Sequence, residues 1–200
     1  MKEALLIVDL QNDFMPGGAL GVKGGDEILP IINTLTGKFD FTVASLDWHP
    51  EGHVSFASTH KKEVGESIQV DGIRQELWPV HCLQNTHGAS LVKELNKAHI
   101  DRYFHKGIDH GVDSYSAFFD NDKERETGLD NYLRQQEVTK LYIAGLTTDF
   151  CVKYSTLDAL ELGYEVVVIA DACRAVFDEK EALEEMKKAG ATLMNASSLN

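Results

Sequence analysis

Cys151 stands where a thiol can become a nucleophile. It lies in the segment LYIAGLTTDFCV, in which an apolar strand runs into Gly145, a tight polar turn follows, and the spacing predicts a helix with Cys151 in its first turn. A helix N-terminus offers unpaired backbone N–H groups and a partial positive charge. Both lower a thiol's pKa, and the same amides can hold a developing oxyanion. Two lone charges end other apolar runs: Asp9 follows ALLIV and Lys106 follows RYFH. A carboxylate that takes the thiol proton, a cation beside it and a thiol at a helix N-terminus together make an activated nucleophile. Cys82 and Cys173 read as small buried hydrophobes, the ordinary role of cysteine.

A second constellation is DWHPEGH, residues 47–53, with WPVHC at 78–82. Asp47 and His49 are two apart at a strand end, so in extended chain their side chains share one face and can reach one ion. His53 follows one turn of loop later, and His81 sits in a proline-braced loop. A carboxylate with two or three imidazoles suits Zn²⁺, Fe²⁺ or Mn²⁺ alike.

The elements that must position these residues follow from the apolar pattern. Apolar runs at 4–8, 41–46, 102–105, 140–146, 165–170 and 191–194 alternate with helical patterns at 26–36, 90–97, 127–136, 149–162 and 180–189. Runs apolar at successive positions fit parallel strands covered on both faces. The alternation predicts an α/β fold, a three-layer α/β/α sandwich around a mainly parallel sheet, in a single domain spanning 1–200. The segments 50–85 and 107–122 fit it poorly, and long irregular segments inside a compact domain are usually functional. In such sheets the ligand crevice lies beyond the carboxyl ends of the strands, and Asp9, Asp47, Lys106 and the turn before Cys151 all fall there.

Composition sets the outer bounds. The 200 residues carry 19 Lys and Arg against 32 Asp and Glu, a formal charge of −13. That balance argues against a phosphate-backbone ligand, which needs a positive field. No apolar run reaches the roughly 18 residues of a membrane span. Three cysteines, unpaired in spacing, fit a reducing cytoplasm better than a disulfide framework. The expected partner is a small-molecule substrate, with no nucleic acid and no membrane. The expected assembly is a monomer or a small homo-oligomer.

The stretches ALLIVDLQNDFMPGGAL, ASLDWHPEGHVSFASTH, LWPVHC, FHKG, DSYSAF and GLTTDFCVKYSTLDALELGYEVVVIADACRAV occur in this order, in a resemblance that covers residues 5–195. The ordered set resembles the nicotinamidases, within the isochorismatase-like cysteine hydrolases. The resemblance implies a six-stranded sheet and the deamidation of nicotinamide to nicotinate and ammonia in NAD salvage, with pyrazinamide as a further substrate. It implies a catalytic triad of Asp9, Lys106 and Cys151. It also implies one divalent metal ion, most often Zn²⁺, held by Asp47, His49 and His81. His53 matches a position that is a ligand in some members and a neighbour in others. Phe14, Trp78 and Tyr115 match the aromatic pocket around the pyridine ring. A cis peptide before Thr147 is implied too, with the amides of Thr147 and Cys151 as the oxyanion hole. Many nicotinamidases have Ala where this chain has Thr147, which bears on preference among ring analogues rather than on the reaction. An amidase for carbamoyl or ureido compounds is the alternative within the superfamily. It would have no pyridine nitrogen to orient and would usually lack the DWHP and WPVHC pair. A non-enzymatic member would not need every one of these positions.

Overall fold

The structure is a computed structural model and describes residues 2–199. Six strands form one sheet: β1 (Lys2–Val8), β2 (Phe41–Asp47), β5 (Arg102–Lys106), β6 (Val138–Leu146), β7 (Glu165–Arg174) and β8 (Thr192–Met194). Their order is β5-β2-β1-β6-β7-β8, and every neighbouring pair is parallel. The remaining two, β3 (Ser67–Val70) and β4 (Ile73–Glu76), make a separate antiparallel hairpin.

β1 shows why the sheet is sandwiched. Ala4, Leu6 and Val8 enter one buried cluster, with Leu129, Leu133, Val152, Ala159 and Met186. Leu5 and Ile7 enter another, with Ile28, Leu29, Ile32 and Leu35. Side chains alternate across a strand with period two, so a continuous apolar run serves two cores at once. Helices α2 (Leu129–Gln135), α3 (Lys153–Glu161) and α4 (Glu179–Ala189) contribute to the first core, and α1 (Leu29–Leu35) to the second. The chain thus has the expected α/β/α sandwich with a six-stranded parallel sheet.

Local departures have physical reasons. Residues 90–97 are not an α-helix, although Ala89, Val92 and Leu95 are buried at a helical spacing of three. This segment's backbone is committed elsewhere: Val92 N–H donates to Leu10 O at 3.0 Å, while Ser90 O accepts from Asn12 N at 3.0 Å. Helix α1 is shorter than the 26–36 pattern and carries Pro30 in its first turn, where a missing N–H costs nothing. Cys151 is not in the first turn of an α-helix. It lies in a π-helical turn, Thr148–Val152, and α3 begins after it. The hairpin lies within the 50–85 segment expected to be irregular. Its turn is Asp71-Gly72, both at positive φ (48° and 85°), the dipeptide that favours a two-residue hairpin loop.

Candidate active site

Asp9, Asp47 and Lys106 meet at the carboxyl ends of adjacent strands β1, β2 and β5, and the turn after β6 brings in Thr147 and Cys151. The centre of the arrangement is the Lys106 ammonium, whose side chain has no solvent exposure. Its Nζ lies 3.0 Å from Asp9 Oδ2, donates to Asp47 Oδ1 and to Ser114 O (3.0 Å), and stands 3.4 Å from Cys151 Sγ. The second oxygen of Asp9 accepts from Ser45 Oγ at 2.7 Å. Donor atoms of Asp9, Asp47 and Cys151 all lie within 4.8 Å of one another. They surround the Lys106 cation, so this group already holds its positive charge.

Electrostatics follow from burial. Burial alone disfavours the ammonium, but Asp47 and Asp9 more than reverse this and hold Lys106 well above the ordinary lysine range. Burial opposes ionisation of Asp47 too, yet Lys106 and His49 keep its carboxyl well below the usual range. Asp9 goes the other way: burial, together with Asp47, raises it despite Lys106. Burial also pushes the Cys151 thiol well above its ordinary value, and Asp9 and Asp47 add to this against Lys106. The helix-terminus expectation of a lowered thiol pKa is therefore reversed. The thiol keeps its proton beside a carboxylate whose own proton affinity is raised.

The second constellation closes around Asp47. His49 Nε2 is 3.6 Å and His81 Nε2 3.8 Å from Asp47 Oδ2. His49 Nδ1 is 2.9 Å from Gly107 O, and His81 Nδ1 is 2.8 Å from Pro79 O. A carbonyl only accepts, so each Nδ1 carries a hydrogen, and each Nε2 is the nitrogen turned toward the Asp47 oxygen. This donor set, one carboxylate and two imidazoles with second nitrogens fixed by carbonyls, fits a divalent transition metal. His53 is buried and stacked on His49 (ring centroids 4.1 Å), but its Nδ1 lies 2.7 Å from Ser55 Oγ and its Nε2 3.3 Å from Val112 O. It groups with His49 and Asp113 instead of with Asp47 and His81. Burial, with His49 next to it, pushes His53 down to about 4.

Between the thiol and the imidazoles lies a cleft of about 330 Å³. Cys151, Thr147, Asp47, His49 and His81 form its polar side. Phe14, Trp78 and Tyr115 line the apolar side, joined by Leu20, Phe150 and Val176. The peptide Leu146–Thr147 is cis. Sequence reasoning missed Asp113, Ser45 and Phe150. Ser45 had a signal, a hydroxyl near the carboxyl end of the apolar run FTVASL, and Asp113 lay in the quoted DSYSAF without a role. Cys82 and Cys173 are buried with raised thiols, as inert cysteines should be.

Comparison with known proteins agrees with this geometry. Residues 3–198 match the isochorismatase domain. The nicotinamidase of Escherichia coli K12 is 50% identical over 198 residues, covering 95% of this chain and 93% of that protein. A nicotinamidase and pyrazinamidase structure from Acinetobacter baumanii superposes with a TM-score of 0.96 at 39% identity, over 100% of this chain and 98% of that one. The pyrazinamidase of Pyrococcus horikoshii in complex with zinc superposes at 0.81 with 38% identity, over 98% and 99% of the two chains. With its sandwich, its carboxylate–lysine–cysteine cluster and these relatives in agreement, the chain belongs to the isochorismatase domain family, among the nicotinamidases.

Proposed function

We propose that this chain hydrolyses nicotinamide to nicotinate and ammonia through a thioester on Cys151. The observation that carries the reading is the buried Lys106 ammonium, in reach of Asp9, Asp47 and the Cys151 sulfur at once. Asp9 takes the thiol proton as the sulfur attacks the carboxamide carbon. Its raised proton affinity suits it to that task, because a general base works best when poised near the working pH. Lys106 offsets the negative charge that the transfer creates. The N–H groups of Thr147 and Cys151 hold the oxyanion, where one donor typically contributes about 3–4 kcal/mol. Asp9 then gives its proton to the departing nitrogen as the C–N bond breaks, and ammonia leaves. Water attacks the thioester, Asp9 takes a proton from it, the C–S bond breaks, and that proton returns to the sulfur, while the carboxylic acid formed gives up its remaining proton to solvent and departs as nicotinate.

Asp47, His49 and His81 would hold one divalent ion; their N/O donor set suits zinc among others, and the zinc-bound relative favours zinc. When bound, such an ion supplies a Lewis-acidic point that orients a ring nitrogen or water. His53, with both nitrogens engaged, packs the His49 ring and lies outside the ligand set. Phe14, Trp78 and Tyr115 stack against the pyridine ring, and Thr147 places a hydroxyl beside it. The enzyme works as a single-domain monomer or small homo-oligomer in the cytoplasm. Support for that location is its three free cysteines, and no helix among the described residues is long and apolar enough to cross a membrane.

Cys151→Ala tests the chemistry. Ammonia release from nicotinamide should vanish while the fold and the bound metal persist; continued deamidation by this variant would exclude the thioester.

A further inference from the structure

The turn that leaves β1 does more than deliver Asp9. Gln11 is fully buried, and its side-chain amide clasps the Asp47 peptide on both sides. Its Nε2 donates to Asp47 O at 2.7 Å, and its Oε1 accepts from Asp47 N at 2.8 Å. The same Nε2 also donates to Ala89 O at 2.8 Å. Two residues on, Asp13 Oδ2 accepts from Cys82 N at 2.7 Å, one peptide beyond His81. Cys82 sits at φ 47°, a strained conformation for a residue with a β-carbon, and its carbonyl accepts from His49 N at 3.0 Å. The Cys82 residue is therefore gripped from both ends, by Asp13 and by the backbone of His49. Gly88 completes the grip: its carbonyl accepts from Asp13 N at 3.0 Å, and a β-carbon at Gly88 would strike the Asp13 carboxylate.

Asp47 lies on a strand end and His81 on an irregular loop far away in sequence, so nothing in either element alone fixes their separation. We propose that Gln11 and Asp13 are positioning residues for the metal site, holding Asp47 and His81 at the spacing one ion requires. This rests on the ligand assignment given above. Gln11 acts through the Asp47 backbone and Asp13 through the peptide after His81, so neither touches ion or substrate. Groups that orient metal ligands in this way typically change metal affinity about 10- to 100-fold when removed.

The test is made on full-length protein stripped of metal, by competitive Zn²⁺ titration and by the visible absorption of the Co²⁺-loaded form. Gln11→Met, Asp13→Ala and Gly88→Ala are each expected to weaken Zn²⁺ binding about 10- to 100-fold and to shift the cobalt bands. Asp13→Asn keeps an oxygen acceptor for Cys82 N–H and should restore most of the affinity. Zn²⁺ affinities within threefold of the parent with unchanged cobalt bands, whatever the effect on melting temperature, would make these residues plain braces and overturn the proposal. Should Asp13→Ala fail to fold, Gln11→Met and Gly88→Ala decide the matter. Asp47→Ala separates the two layers of inference. If it binds Zn²⁺ as tightly as the parent, the ligand assignment falls and this proposal with it; if it alone loses binding, only the positioning role falls.

Discussion

Lys106 is a cation with no exposure, flanked by two carboxylates and a thiol. Removing one partner of a buried charge cluster leaves the others uncompensated, which costs about 3–5 kcal/mol. Lys106→Met should therefore abolish turnover and lower stability by about that amount, read from urea denaturation at pH 7; an unchanged midpoint would show that the carboxylates find another counter-ion. His53 carries the pH prediction. Burial and His49 hold its folded pKa at about 4 against an ordinary 6.5. Between those values the unfolded chain binds a proton that folded His53 refuses, so stability rises with pH across this window and is fully present above about 6.5. The lowered pKa corresponds to a loss on the order of 3 kcal/mol on going from pH 6.5 to 4. In metal-free protein, His53→Gln should flatten the stability profile there, whereas an unaltered slope would place the titration elsewhere. Thr147 is buried, lines the cleft, and its hydroxyl finds no hydrogen-bond partner among the described side chains and backbone. Thr147→Ala opens space there, so the ratio of kcat/KM for a methyl-substituted nicotinamide over nicotinamide should rise about tenfold, the scale of one methyl group in a tight pocket. A ratio that stays put would mean the hydroxyl faces away from the ring.

At the scale of elements, β1 and β6 bring Asp9 and Cys151, the proposed base and nucleophile, together. They run side by side with Val8 opposite Gly145, one residue before Asp9 and two before Thr147. Gly145 has φ 131°, and a β-carbon there would collide with the Val8 carbonyl oxygen. Gly145→Ala is thus expected to cost about 3 kcal/mol, from overpacking and backbone strain combined, and to cut kcat more than KM because it separates Asp9 from Cys151. Full activity with a normal melting temperature would contradict that close approach. The strands were legible because their apolar runs are long and their ends are marked by lone charges. Residues 90–97 misled because apolar side chains three apart satisfy a helix template equally well when a loop lies flat on the core. The hairpin was signalled by Asp71-Gly72 but is too short and too polar to read as strands. The π-helical turn at Thr148–Val152 leaves no mark in side-chain periodicity, and it is what moves Cys151 out of an α-helical first turn.

For the molecule as a whole, the candidate site lies at one end of a sheet whose central strands are buried on both faces. Four strands contribute through their ends, and the two segments between regular elements, 50–85 and 107–122, supply His81, Trp78, Asp113 and Tyr115 to the cleft. The candidate triad and the three candidate metal ligands were nameable from motif order. Their outer support was not, since Gln11, Asp13 and Ser45 act through hydrogen bonds that only the folded chain brings about. The reaction is tested most directly by ammonia release from nicotinamide, with parent protein, Cys151→Ala and chelator-stripped protein run side by side. Release by the parent, none by the variant, and loss on stripping that added Zn²⁺ restores would establish nucleophile, substrate and metal together. No release by metal-replete parent protein would contradict nicotinamide as the substrate and turn attention to carbamoyl or ureido compounds.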